Sequence, residues 1–213
     1  MIIPKLHYIS QGSSPKEHIE NIQKACTSGA ELVVLHLENV SDKKYLNLAK
    51  EAREITAHFQ TRLLINGAYK IAREVKADGV HLTAKDVCPT VARKHLYTWQ
   101  IIGSTTNNLQ DCETALTKEV DYIRLSTFRS VTNTGNSNPV LGINGFTVIT
   151  EALNTETPII GFGNITTDDV TQILATGVSG IAVSEEITKN FDTIKTFNHL
   201  LSASSIDELR HTF

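Results

Sequence analysis

Pro158-Ile-Ile-Gly-Phe-Gly-Asn-Ile-Thr166 and, shortly after it, Gly177-Val-Ser-Gly-Ile-Ala-Val-Ser184 decide how this chain reads. Each is a short apolar run that ends in small or polar residues and is followed by a helical pattern. Continuous apolar runs of this length are the mark of parallel strands buried on both faces. A strand that ends in Gly-x-Gly-Asn ahead of a helix leaves backbone N–H groups open at the helix N-terminus, a geometry suited to anions and to phosphate in particular. Two such turns in succession match the phosphate site built after the seventh and eighth strands of a (β/α)8 barrel.

Working back from that pair, strand and helix patterns alternate over the whole sequence. Strands are predicted at Leu6–Ser10, Leu32–Leu37, Arg62–Asn66, Gly79–Leu82, Gln100–Gly103, Tyr122–Leu125, Ile159–Phe162 and Ile181–Val183. Helices are predicted at Pro15–Ser28, Lys43–Phe59, Ala68–Lys76, Pro89–Leu96, Leu109–Lys118, Gly145–Leu153, Thr167–Thr176 and Phe191–Ser202. Regular alternation with short connections implies a parallel sheet. Eight units favour an α/β fold closed as a (β/α)8 TIM barrel over an open doubly wound sheet. No linker or repeat divides the chain, so residues 1–203 read as one barrel domain and 204–213 as a polar C-terminal tail. The irregular stretch is Thr127–Ile143, whose core Asn133-Thr-Gly-Asn-Ser-Asn-Pro139 is turn-rich. A loop this long reads as a flap beside the site, with a plain solvated loop as the alternative.

Composition narrows the class. The 213 residues are 40% hydrophobic and 20% charged, with a net charge of −3. Lysines and arginines are scattered among acids, which argues against a nucleic-acid surface. No apolar run reaches the ~18 residues of a membrane span. Cys26, Cys88 and Cys112 lack metal-ligand spacing and read as reduced thiols of a cytoplasmic protein.

His36 and Glu38 are two residues apart, so they share one side of the second strand near its C-terminal end, the barrel mouth. They read as a base with its orienting partner, or Glu38 as a metal ligand; the alternative is a satisfied polar pair. Asp86 offers a second carboxylate for Mg2+, or else a helix-capping acid before Pro89. Arg124, Ser126 and Arg129 are candidates for holding phosphate or carboxylate, with internal ion pairs as the alternative. His81, inside an apolar strand, reads as a hydrogen-bonded packing residue.

Taken together, Leu64-Ile-Asn66, Ala77-Asp-Gly-Val-His-Leu82, Ile101-Ile-Gly-Ser104, Asp121-Tyr-Ile123 and the two opening segments resemble the thiamine phosphate synthase family, including its thiazole tautomerase branch. The chain is identified as a divergent member. The resemblance implies a (β/α)8 barrel and thiamine biosynthesis: a pyrimidine methyl diphosphate is coupled to a thiazole phosphate with Mg2+, releasing pyrophosphate. The alternatives are a tautomerase-like isomerase or a barrel that only binds a phosphorylated thiazole. It implies small phosphorylated heterocycles as partners, and a homodimer. It matches Asp86 to metal binding, Ser104 to the catalytic strand-5 Ser, and Gly163, Asn164, Val183 and Ser184 to phosphate; Glu38 as catalytic base or replacement metal ligand, with His36 orienting it, is the reading of the residues themselves. Asn66, Arg124, Ser126, Arg129 and Thr132 fall to the substrate. Where the family has Gln-x-Arg, this chain has His36-Leu-Glu38. Gly67 replaces a metal-binding Asp, Thr106 replaces a His, and Ser130-Val-Thr-Asn133 lacks a Lys.

Overall fold

A computed structural model of the protein describes residues 2–130 and 139–210, with side chains as far as Ala203. The first unit is β1 (Leu6–Ile9) and α1 (Pro15–Thr27), then β2 (Leu32–Leu35) and α2 (Asp42–His58). Next come β3 (Arg62–Asn66), α3 (Tyr69–Glu74), β4 (Gly79–Leu82) and α4 (Pro89–Arg93). β5 (Ile101–Thr106), α5 (Leu109–Thr117), β6 (Tyr122–Ser126) and α6 (Gly142–Leu153) follow. The last units are β7 (Ile159–Phe162), a 3-10 turn (Thr167–Asp169) with α7 (Val170–Leu174), β8 (Gly180–Val183), α8 (Glu185–Lys189) and α9 (Thr193–Arg210).

The eight strands close in sequence order into a parallel barrel, with β1 paired to β8 through Leu6–Ile181, His7–Ala182 and Tyr8–Val183. The (β/α)8 barrel read from the sequence is therefore the fold. Two corrections apply to element bounds. The second strand stops at Leu35, so His36 and Glu38 lie just past its end, and the eighth unit carries two helices rather than one. α9 continues past Ala203; side chains of the segment read as a tail lie outside the described residues.

Local sequence explains the elements. Ser14, Ser41 and Asn108 cap α1, α2 and α5 by accepting the backbone N–H groups of Glu17, Lys44 and Asp111. Pro15 and Pro89 open their helices at the position where a missing N–H costs nothing. Alternation along each strand splits the apolar residues into two sets. One set packs between sheet and helices, with Tyr8, Val33, Leu35, Leu63, Ile65, Ile123 and Phe146 among its buried members. The other fills the barrel axis with Ile9, Leu32, Val34, Leu64, Ile101, Tyr122, Ile160 and Ala182. Every one of these is at most 5% exposed, so the barrel is filled and leaves its chemistry to the mouth.

Candidate functional site

A cavity of about 400 Å³ opens at the C-terminal ends of β1, β2, β7 and β8. Its polar lining comes from Ser10, Gln11, Ser13, Ser14 and His18 after β1, and from His36 and Glu38 after β2. Asn164 follows β7, and Ser184, Glu185 and Glu186 follow β8. Ile9, Phe162 and Ala182 form apolar wall.

His36 Nε2 lies 3.4 Å from Glu38 Oε1, so the pair read from the sequence shares the cavity wall. Burial pushes the His36 imidazole below its usual range, Arg124 adds to that, and Glu38 opposes it. Ser10, a residue missed in the sequence, anchors this wall. Its Oγ accepts the His36 backbone N–H at 3.0 Å and meets His18 Nδ1 at 2.9 Å. Burial lowers His18 as well.

The two turns expected to hold phosphate fare differently. Gly163 has φ of +126°, and a Cβ there would come within 2.5 Å of the Phe128 backbone nitrogen. The reason is direct contact: Phe128 N–H donates to Phe162 O at 2.8 Å, and Arg129 N–H donates to Gly163 O at 3.0 Å. Gly163 thus lets the loop after β6 lie against the loop after β7. Asn164, at φ +49°, lines the cavity. Val183 turns its side chain into the outer core, though it borders the cavity, and Ser184 Oγ donates to Ile9 O at 2.9 Å. Both helix starts already carry acids of their own: Asp168 and Asp169 after β7, Glu185 and Glu186 after β8. Asp169 Oδ2 accepts the Thr166 backbone N–H and hydroxyl at 2.9 and 2.8 Å. Both Asp169 oxygens receive the Arg129 guanidinium at 2.5 Å. Arg129 is therefore engaged in an internal ion pair, the alternative weighed for it above.

Arg124 is buried on the axis at 5% exposure. Its Nε and Nη2 donate to Thr105 Oγ1 at 3.3 and 3.2 Å, and its guanidinium lies 5.2 Å from the Phe162 ring centroid. Thr105 Oγ1 also meets His81 Nε2 at 2.7 Å, and His81 Nδ1 meets the Tyr122 hydroxyl at 2.7 Å. His81 is thus a hydrogen-bonded member of the interior, as read. Burial and then Arg124 hold its ring well below the usual range, so it is neutral. His7, also buried, is lowered to about 3 by the same two causes in the same order.

Ser104 sits on the opposite face of β5 from Thr105. Its neighbours on that face, Ile102 and Thr106, pack toward the helices, and Thr106 bonds Cys112 Sγ at 3.1 Å. The inward hydroxyl on β5 is Thr105, which the sequence reading missed by one residue. Asn66 and Ser126 occupy axis-facing positions, registered with His81 and Phe162. Ser126 Oγ bonds Thr127 Oγ1 at 2.7 Å. Thr132 and most of the long loop core lie outside the described residues.

Asp86 Oδ2 accepts from the Thr83 backbone N–H at 2.8 Å and hydroxyl at 2.7 Å, a local turn. Its Oδ1 lies 2.8 Å from where a Gly67 Cβ would stand, so Asp86 takes the space an acid at 67 would need. Among the described residues no three or more His, Cys, Asp or Glu side chains gather to cage a metal. Of the two carboxylates read for a metal, Glu38 lines the cavity, whereas Asp86 is held in the turn after β4 by Thr83. Among the described residues no helix is long and apolar enough to cross a membrane.

Comparison with known proteins bears on the whole barrel. The sequence model of the thiamine monophosphate synthase family matches residues 6–187, from β1 into α8. A thiamine-phosphate synthase of Flavobacterium johnsoniae is 32% identical over 208 residues, covering 95% of this chain and 98% of that protein. One from Clostridium novyi is 33% identical over 88% of this chain and 92% of its own length. The solved thiamine phosphate pyrophosphorylase from Pyrococcus furiosus superposes with a TM-score of 0.80 at 24% identity, covering 93% of this chain and 96% of that one. At that identity the superposition speaks for the fold.

Proposed function

The chain belongs to the thiamine monophosphate synthase family, and we propose that it works as a thiamine-phosphate synthase, joining a pyrimidine methyl diphosphate to a thiazole phosphate and releasing pyrophosphate. The observation that carries this reading is the mouth cavity, because every segment lining it, from Ile9 to Glu186, lies within the stretch matched to the family. The transfer breaks the carbon–oxygen bond to diphosphate and forms a carbon–nitrogen bond to the thiazole. Such a step needs positioning and charge stabilisation more than covalent help from the protein.

On this reading Asn164 and Ser184 orient the thiazole phosphate, with Val183 contributing backbone and Gly163 shaping the turn. Asn66 and Ser126, facing the axis, contact the heterocycles. Asp86 and Glu38 are the residues that would hold Mg2+, which when bound neutralises charge on the departing diphosphate. His36 aligns Glu38 at 3.4 Å and Ser10 fixes the His36 backbone. Ser104 and Arg129 are left out of the proposal because one faces the helices and the other is taken up by Asp169. Residues 1–203 act as one domain, and the thiols described above accord with a cytoplasmic protein whose partners are small phosphorylated heterocycles, as a homodimer. The same His36–Glu38 pair favours a second reading, isomerisation of a phosphorylated thiazole with Glu38 as base. Incubating purified protein with both coupling substrates and Mg2+ tests the first reading: thiamine phosphate should form, and its absence at high enzyme concentration overturns it.

A further inference from the structure

Among the described residues Arg124 is a cation without a counter-ion. It is buried on the barrel axis, and Nη1 has no hydrogen-bond partner among the described residues. Its surroundings are neutral: Thr105, Tyr122, Phe162 and the uncharged rings of His7 and His81. No carboxylate among the described residues raises its pKa, which burial instead lowers to about 10. At neutral pH it is still charged. The segment 131–138, Val-Thr-Asn-Thr-Gly-Asn-Ser-Asn, contains no acid to serve it either. A buried charge left in this state is costly unless something anionic completes it.

The guanidinium lies one axis layer beneath the mouth. Register pairs Arg124 with Ile160 and Ser126 with Phe162, and Phe162, whose ring covers the guanidinium, is a wall of the cavity. His36, another wall residue, feels the Arg124 charge. The cavity lining also holds the hydroxyl and amide groups of Ser10, Ser184 and Asn164 and the acids Glu38, Glu185 and Glu186. A buried cation thus lies behind the Phe162 wall of a cavity whose lining carries three carboxylates.

We propose that Arg124 is an anion anchor for a phosphoryl group that enters the cavity head-down, with rotation of Phe162 giving it access to Nη1. A phosphoryl oxyanion suits the position because it has several oxygens for Nη1 and the hydroxyls of the lining. The acids of the lining disfavour a bare anion and favour one carried on a ligand whose other end is neutral, cationic or metal-bound. This inference rests on the proposed coupling activity only for the ligand's identity, a mono- or a diphosphate ester.

Calorimetry on the full-length protein with inorganic phosphate and with inorganic pyrophosphate, each with and without Mg2+, tests it. Wild type is expected to bind at least one of them, and the one preferred tells which ester reaches Arg124. Arg124→Met is expected to lose affinity by about tenfold to a hundredfold, the span of one hydrogen bond to a charged group. Arg124→Lys, which keeps charge without the fork, should fall between. Should Arg124→Met not fold, the Arg124 side-chain 15N signals of wild type are the readout, and they should shift on adding the anion. No binding by wild type, undiminished binding by a folded Arg124→Met, or unmoved Arg124 signals overturns the proposal. Coupling assays separate the two readings. Product formation by Arg124→Met with an unchanged KM for both phosphorylated substrates overturns the anchor alone. Arg124-dependent pyrophosphate binding without any product overturns the coupling reading alone.

Discussion

Arg129 grips Asp169 with both terminal nitrogens, each 2.5 Å from a carboxylate oxygen, and so ties the loop after β6 to the start of α7. Asp169 at the same time caps that turn through Thr166. Although burial alone pushes the Asp169 carboxyl up, the hydrogen bonds from Arg129 and Thr166 outweigh it and hold its pKa below the usual range. Asp169→Ala removes cap and pair together and leaves Arg129 unpartnered there. A loss of about 2 kcal/mol or more is expected in urea unfolding, with Asp169→Asn losing less because it retains a capping oxygen.

Acid should weaken the protein through its interior histidines. His7 and His81 are neutral in the folded barrel, with His7 near 3 and His81 well below the ordinary value, whereas both titrate at their ordinary pKa when unfolded. Between those values the unfolded chain binds protons that the native one refuses, so stability is complete above pH 6.5, the ordinary histidine value, and declines as pH falls toward 3. The slope for one such histidine is about 1.4 kcal/mol per pH unit. Unfolding free energies measured at several pH values across this window check it, and a His7→Gln variant should show a shallower decline.

Gly163→Ala puts a methyl group where Phe128 N–H already stands, at a backbone φ of +126°. The expected cost is about 1–3 kcal/mol, visible as a lower melting temperature. Because the contact joins two mouth loops, KM for the phosphorylated substrates should rise as well. An unchanged variant would show that the loops do not depend on this approach.

Glu38→Gln keeps the size of the side chain and removes its charge. As a metal ligand, Glu38 should be missed most at low Mg2+, and the Mg2+ concentration for half-maximal coupling should rise by roughly tenfold, a change of about 1.4 kcal/mol. As the base of an isomerisation, it should instead cost turnover that added Mg2+ does not restore. Titrating Mg2+ against initial rate distinguishes the two.

The barrel itself was legible because eight apolar runs alternate with helical periodicity, a pattern that survives errors of a few residues at each end. The interior was less so. Strands buried on both faces carry apolar residues at every position, so the pattern does not tell which alternate set points to the axis. Ser104 stands out only as the match to the family's Ser after the strand-5 Gly, and the pattern alone singles out neither Thr105 nor His7 and Tyr122 beside Leu6 and Ile123. His36 and Glu38 were found because a charged residue at a strand end is conspicuous. Ser10 and His18 were not, since a serine and a helical histidine are ordinary until the fold brings them to 2.9 Å. The Arg129–Asp169 pair spans 40 positions, and no spacing rule reaches that far.

The walls of the mouth come from the two ends of the barrel sequence, residues 9–18 and 36–38 on one side and 162–186 on the other. Ser184 sews them together by donating to Ile9 O across the β1–β8 seam. A nascent chain emerging from the ribosome can thus display seven strands and still own only half a pocket. Substrate has nowhere to settle until the last strand docks against the first, after the slow, long-range pairing that parallel topology demands. Catalysis then serves as a clock for that final docking: in a refolding experiment, its first appearance dates the closure of the ring rather than the formation of the bulk of the helices.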